Sequence, residues 1–324
     1  MINKAILLFL TSLLFITSVI SHGKYIFVSN ENSDTVVVLD KETKNIIKTI
    51  ETGGRPRDIK FNNDYTKLFV VVSEENHILI IDTIKLKVTG KIETGDDPEI
   101  FDLDKKNRMI AVSNEDDNQL TLIDLNTKKI IASIDDVGVE PEGVNFSPDG
   151  ELVYVTSEGT NSVLIINPWK KEIVNEILVG NRPRRGIFVN EGKEYWVSNE
   201  LSGTVGIIDT KSQELIRTIK FSVKGIKNQK ITPVDFAYAE KKNLVFVTLG
   251  SANHVAVVDA NSYIIKKNIL VGRRVWGADI TENEEELIVT NGNSDDISII
   301  DLNRFVAIKS IPVGKTPHSV RIIK

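Results

Sequence analysis

Apolar and polar positions alternate along this chain in short runs, and seven of the runs close on Asp or Asn at a nearly fixed interval. VVVLD ends at Asp40, ILIID at Asp82, LTLID at Asp124, VLIIN at Asn167, VGIID at Asp209, VAVVD at Asp259 and ISIID at Asp301, in steps of 42, 42, 43, 42, 50 and 42 residues. One unit shows the pattern. MIAVSN (Met109 to Asn114) alternates, Glu115-Asp116-Asp117-Asn118 is a polar turn, and QLTLID alternates again. Leu125-Asn126-Thr127-Lys128 turns the chain into KIIASI, and the loop Glu140-Pro141-Glu142 leads into GVNF. Period-two runs bounded by turn residues predict four short strands per unit. No stretch keeps a helical period.

Four antiparallel strands repeated at this interval predict an all-β, seven-bladed β-propeller of four-stranded blades. The part from Lys24 opens with KYIFVSN, a second strand, and the chain ends with HSVRII, a first strand. The carboxy-terminal strand is therefore expected to join the amino-terminal blade and close the ring, covering edges that an open sheet exposes. Residues 24–324 form the propeller in this reading. The long step falls in FSVKGIKNQKITPVDF, Phe221 to Phe236, and predicts a lengthened loop on one face.

Residues 1–23 read differently. A basic start, the apolar run Ala5 to Ile20 and the small-x-small Ser21-His22-Gly23 predict a secretory signal peptide cleaved after Gly23. An uncleaved anchor is the alternative, although the run is short against the roughly 20 residues of a membrane span. The expected location is periplasmic or secreted. The 324 residues include no cysteine, which excludes a lipidated amino-terminal cysteine, a c-type haem attachment and a thiolate metal site. A net charge of −5 with dispersed basic residues gives no footprint for nucleic acid.

The blocks YIFVSNENSDTVVVLD, MIAVSNEDDNQLTLID, LVYVTSEGTNSVLIIN and YWVSNELSGTVGIID resemble the YVTN family of β-propeller repeats. Together with Arg55-Pro56-Arg57 and Arg182-Pro183-Arg184, the leader and the seven units, they look most like the periplasmic propeller subgroup associated with PQQ-dependent alcohol catabolism. That resemblance implies a companion to quinoprotein dehydrogenases and c-type cytochromes. It does not imply that this chain holds PQQ, and no cofactor is expected.

Chain direction puts the loops entering each inner strand and the turns after each second strand on one face. Positions three and five after the loop proline are apolar, as in Ile59 and Phe61 or Val144 and Phe146. The position just after it varies: Arg57, Glu99, Glu142, Arg184, Val234, Trp276, His318. A position that repeats in place but not in chemistry is expected to be free of packing duty and to ring the channel mouth. The candidate ligand-binding residues are Arg55, Arg57, Glu99, Glu142, Arg182, Arg184, Arg185, Asp235, Trp276 and His318. Arginine forks there would grip carboxylate or phosphate, and Trp276 would give a stacking wall or pack between blades. A merely solvated charged rim is the competing reading. His318 could serve as a base or axial ligand, whereas His77 and His254 are expected at the surface. The Asp that closes each run falls on the opposite face and is read as a turn-former.

The function these signals favour is a non-enzymatic binding or assembly protein, expected to be a monomer, that holds a partner protein or small anionic ligand at the mouth. The alternative is a propeller enzyme, such as a lactonase using Glu99, Glu142 and Asp235, or a quinone- or haem-binding accessory. No metal site is assigned.

Overall fold

A computed structural model describes residues 24–324, so the predicted signal segment lies outside the described residues. Twenty-eight strands, numbered β1 to β28 along the chain, form seven four-stranded antiparallel sheets. The first sheet contains β28 (Pro317–Ile322), β1 (Tyr25–Asn30), β2 (Thr35–Asp40) and β3 (Ile46–Glu51), in that order. Closure by the carboxy-terminal strand is thus as the sequence predicts, with Ile26 opposite Ile322 and Val28 opposite Val320. The other inner strands are β4 (Pro56–Phe61), β8 (Pro98–Leu103), β12 (Pro141–Phe146), β16 (Pro183–Val189), β20 (Phe236–Ala239) and β24 (Val275–Ile280).

Second and third strands lie between neighbouring sheets and are buried on both faces, which explains why TVVVLD and YIFVSN are nearly continuous apolar runs. Outer strands face solvent; in β3 only Ile50 is buried. The blades pack face to face through clusters such as Val189, Trp196, Phe236, Val245 and Val258. Each fully buried aliphatic or aromatic side chain of this kind contributes roughly 1.5–3 kcal/mol.

The seven run-closing Asp and Asn residues are turn-formers. Asp40 Oδ1 accepts the Thr43 N–H at 2.7 Å, Asp82 that of Lys85 at 2.7 Å, and Asn167 that of Lys170 at 2.9 Å. These bonds hold the Asp40, Asp82, Asp124 and Asp209 carboxyls below their ordinary range. The Phe221–Phe236 segment is no simple surface loop. Phe221, Val223 and Ile231 are buried in a blade-to-blade cluster, and a single 3-10 turn spans Asn228–Lys230. His77 also departs from expectation: it is 4% exposed, with Nδ1 2.9 Å from the Glu75 carbonyl at the end of a short 3-10 turn.

A hydroxyl stitches most blade boundaries. Ser29, Ser113, Thr156, Ser198 and Thr290 each donate to the carbonyl of the residue after the loop proline position in the next blade, at 2.6–2.8 Å. All five hydroxyls also accept an N–H from their own inner strand, as Thr156 does from Gly143 at 2.7 Å. This pair of hydrogen bonds pins the inner strands around the axis.

Candidate functional site

The mouth is built by a repeated backbone device. Arg55, Asp97, Glu140, Arg182, Arg274 and Thr316, each just before an inner strand, have φ between 40° and 60°. Left-handed backbone is uncommon for such residues, and a residue before proline ordinarily prefers extended backbone. Each is held by the preceding blade. Its N–H donates to an Asn or Asp side chain, in order Asp34, Asn76, Asn118, Asn161, Asn253 and Asp295, at 2.8–3.3 Å. Those six acceptors are themselves left-handed. The Asn or Asp immediately before six of the seven third strands, with Gly203 at the other, is the signal in the sequence for this clamp.

At the inner strands a bulge then sets two residues against one. Pro56 pairs with Val72 and Ile59 with Val70, so Arg57 and Asp58 together oppose Val71. Five other blades carry the same register shift. A bulge re-aims side chains; here it sends two successive residues toward the axis. At Gly143 and Gly277 the next blade comes so close that an added Cβ would meet the Arg184 or His318 carbonyl at 2.5 or 2.6 Å.

The side chains that result are interlocked and buried, which corrects the expectation that this position is free of packing duty. Arg57 is 4% exposed and its Nη1 lies 2.5 Å from Glu99 Oε2, with Nη2 3.7 Å from Glu142. Arg184 Nη2 reaches Glu142 at 2.9 Å, and its Nη1 binds Glu158. Toward the rim, Arg55 contacts Glu31 at 3.1 Å and Glu99 at 3.4 Å. Arg182 contacts Glu158 at 2.6 Å, and Arg274 contacts Glu200 at 2.9 Å. Glu31, Glu158 and Glu200 come from the turns after second strands. The physical reason for the lattice is that a buried charge must be paired; two adjacent acidic blades, flanked on each side by a basic one, supply the pairs. An incoming anion would have to displace these carboxylates from the arginine forks.

Eight carboxyl groups (Glu31, Asp97, Glu99, Glu115, Glu140, Glu142, Glu158, Glu200) face five guanidiniums (Arg55, Arg57, Arg182, Arg184, Arg274), so acidic groups outnumber basic ones at the mouth even with Glu99 protonated. Asp97, Glu99 and Glu115 bring carboxylate oxygens within 4.8 Å of one another. The acid groups respond to this crowding. Burial, opposed by Arg57 but reinforced by Glu142, pushes the Glu99 carboxyl up to about 8. Burial raises Asp97, Glu115 and Glu158 as well. At Glu142 burial acts in the same sense, but Arg184 and Arg57 outweigh it and hold the carboxyl below its ordinary value.

The remaining predicted residues separate. Trp276 and His318 stand in the ring with centroids 4.8 Å apart, and the Arg184 and Arg274 guanidiniums lie 5.7 and 5.3 Å from the Trp276 ring. His318 is 1% exposed; its Nδ1 is 3.1 Å from Ser319 Oγ and its Nε2 has no partner. Burial, then Arg57, Arg185 and Arg184, keep it neutral. Val234 is a buried apolar residue in the same ring. Arg185 and Asp235 lie deeper, with Asp58, and do not join the mouth lattice. Position four after the proline also lines the axis: Lys60, Asn145 and Arg321 do so, and Asp102 pairs with Lys60 at 2.9 Å. None of these fourth-position residues is among the sequence candidates, although polar residues between two apolar ones mark them in the sequence.

The Cytochrome D1 heme domain family matches residues 103–233, about two-fifths of the chain. No curated protein matches. Among solved structures, hydrazine synthase of Kuenenia stuttgartiensis aligns with a TM-score of 0.77 at 16% identity, over 86% of this chain and 92% of that one. The periplasmic gluconolactonase PpgL of Pseudomonas aeruginosa aligns at 0.77 and 17%, over 93% and 99%. The dihydro-heme d1 dehydrogenase NirN aligns at 0.71 and 13%, over 93% and 76%. Likeness at these identities shows the shared propeller fold.

Proposed function

We propose that this is a periplasmic, non-enzymatic binding or assembly protein of quinoprotein (PQQ-dependent) alcohol oxidation, which uses the mouth face to hold a quinoprotein dehydrogenase or a c-type cytochrome. The observation that carries the reading is the mouth lattice. Its arginines are spent on internal carboxylates, while surplus acid remains at a rim of rigidly clamped loops. Such a surface suits a partner with a basic face, because complementary charge steers encounter and fixes register. A small anion is the weaker ligand, since it must compete with Glu99, Glu142 and Glu158. The YVTN-like repeats and the leader support the setting.

Lactone hydrolysis is a second reading with one observation in its favour. Glu99, with its carboxyl pushed up to about 8, is a protonated acid at neutral pH beside Arg57, the condition a general acid needs. Its complete burial argues against reaching a substrate. A haem does not fit the residues present. The stretch matching the haem-domain family contains neither histidine nor cysteine. His318, outside it, is enclosed by Trp276 and the surrounding arginines and leaves no open face for a macrocycle.

Purification of residues 24–324 from the native cell tests these readings together. The proposal expects a colourless protein that co-purifies with a dehydrogenase or cytochrome and does not turn over gluconolactone. A bound quinone or haem, or lactone turnover lost in Glu99→Gln, would overturn it.

A further inference from the structure

Below the mouth lattice the axis holds a cavity of about 140 Å³, lined by Asp58, Lys60, Asn145, Arg185, Asp235 and Arg321 among others. Its charges are arranged unlike those above. At the mouth Arg57, Arg184 and Arg274 each reach a carboxylate at 2.5–2.9 Å. Around the cavity Lys60 is paired with Asp102 at 2.9 Å, but the guanidiniums stand farther from their carboxylates: Arg185 Nη1 is 3.7 Å from Asp58 and 3.4 Å from Asp235, and Arg321 Nη2 is 3.5 Å from Asp58. Asp58 is fully buried, yet its Oδ2 has no hydrogen-bond partner. A buried carboxylate oxygen without a donor is costly, so this wall is complete only when something polar fills the space.

Charge balance restricts the occupant. The charged lining is Asp58 and Asp235 against Lys60, Arg185 and Arg321; Asp102, outside the lining, neutralises Lys60 at 2.9 Å, which leaves two carboxylates against two guanidiniums. An occupant with net charge would leave that balance uncompensated in a confined site. A neutral molecule carrying both signs would match it, with its cation on Asp58 Oδ2 and its anion on the loosely held guanidiniums. Size restricts it further, since an engineered cavity of about 150 Å³ admits a benzene-sized molecule. Access lies on the face opposite the mouth. Lys60 and Arg321 line both this cavity and an open pocket formed with Asn62, Asn63, Asp279 and Lys324 at that end. The buried Arg57–Glu99 and Arg184–Glu142 pairs close the other end.

We propose that this axial cavity is a binding site for a small zwitterion of α-amino-acid size, entered from the face opposite the mouth and held between Asp58 and the Arg185 and Arg321 guanidiniums. The site is independent of partner binding at the mouth. Calorimetric titration of the full propeller with glycine, acetate and methylammonium tests it. Glycine should bind saturably at one site, with acetate and methylammonium at least tenfold weaker. Asp58→Asn, checked for its fold by circular dichroism, should weaken glycine at least tenfold. Absence of saturable glycine binding, leaving a water-filled cavity, would overturn the proposal, as would acetate or methylammonium binding as tightly as glycine. The comparison of the three probes on the unmodified protein decides the matter even where the variant fails to fold.

Discussion

At Glu99 a guanidinium 2.5 Å away favours the carboxylate, while burial and the neighbouring Glu142 favour the acid, and burial prevails. The folded carboxyl sits at about 8 against an ordinary 4.5. Between those values the folded protein keeps a proton that the unfolded chain releases. The stability from this group is therefore full below about 4.5 and is lost as pH rises through about 8. Asp97, Glu115 and Glu158 are shifted the same way and steepen the decline. Melting temperatures measured from pH 5 to 9 should fall with pH, and Glu99→Gln should flatten the fall; an unchanged slope in that variant would remove Glu99 as its source. Arg184 answers a different question. Arg184→Met leaves Glu142 and Glu158 buried without their main partner. Urea denaturation should show a loss of about 3–5 kcal/mol, where a solvated rim arginine would cost almost nothing.

The element scale is where strands become a ring. Thr156 bridges two blades by accepting from Gly143 and donating to Arg184. Thr156→Val keeps the shape and removes both bonds, and chemical denaturation should register a loss of about 1–3 kcal/mol. Removing residues 317–324 deletes β28 and exposes the edge of β1. That truncation should abolish cooperative unfolding, and a two-state melt at the full-length temperature would contradict closure. These elements differ in how plainly the sequence announced them. The strands, their order and the terminal join were readable because burial on both faces forces apolar runs at a fixed interval. The turn role of Asp40 or Asn167 was readable because Asp and Asn share an oxygen but not a charge. The clamp from Asn118 to Glu140 was not, because it joins residues 22 apart across a blade boundary. The folded insert around Ile231 was hidden because a local polar loop and a loop that tucks apolar residues inward share a composition.

For the whole molecule, the sequence placed the functional candidates on one face but left their mutual distances open. Arg57 and Glu142 are two blades apart along the chain and 3.7 Å apart across the axis. Variable chemistry at a repeated position looked like freedom from packing; in the folded ring Arg57 and Arg184 answer Glu99 and Glu142, while Val234 is buried and Trp276 packs on His318. Acidic groups remain in excess at the rim, among them Glu115 and Asp97, the latter 3.6 Å from Arg55, and we propose this excess as the surface for a basic partner. The most direct measurement is the affinity of residues 24–324 for the quinoprotein dehydrogenase and the c-type cytochrome of the same cell, at about 50 and about 500 mM salt, a range over which screening removes exposed charge attraction. The account predicts binding to one of them at low salt, weakening at high salt, and a loss of at least tenfold in the Asp97→Lys, Glu115→Lys double variant. Failure of the unmodified protein to bind either partner, or equal binding by the charge-reversed variant, would contradict it.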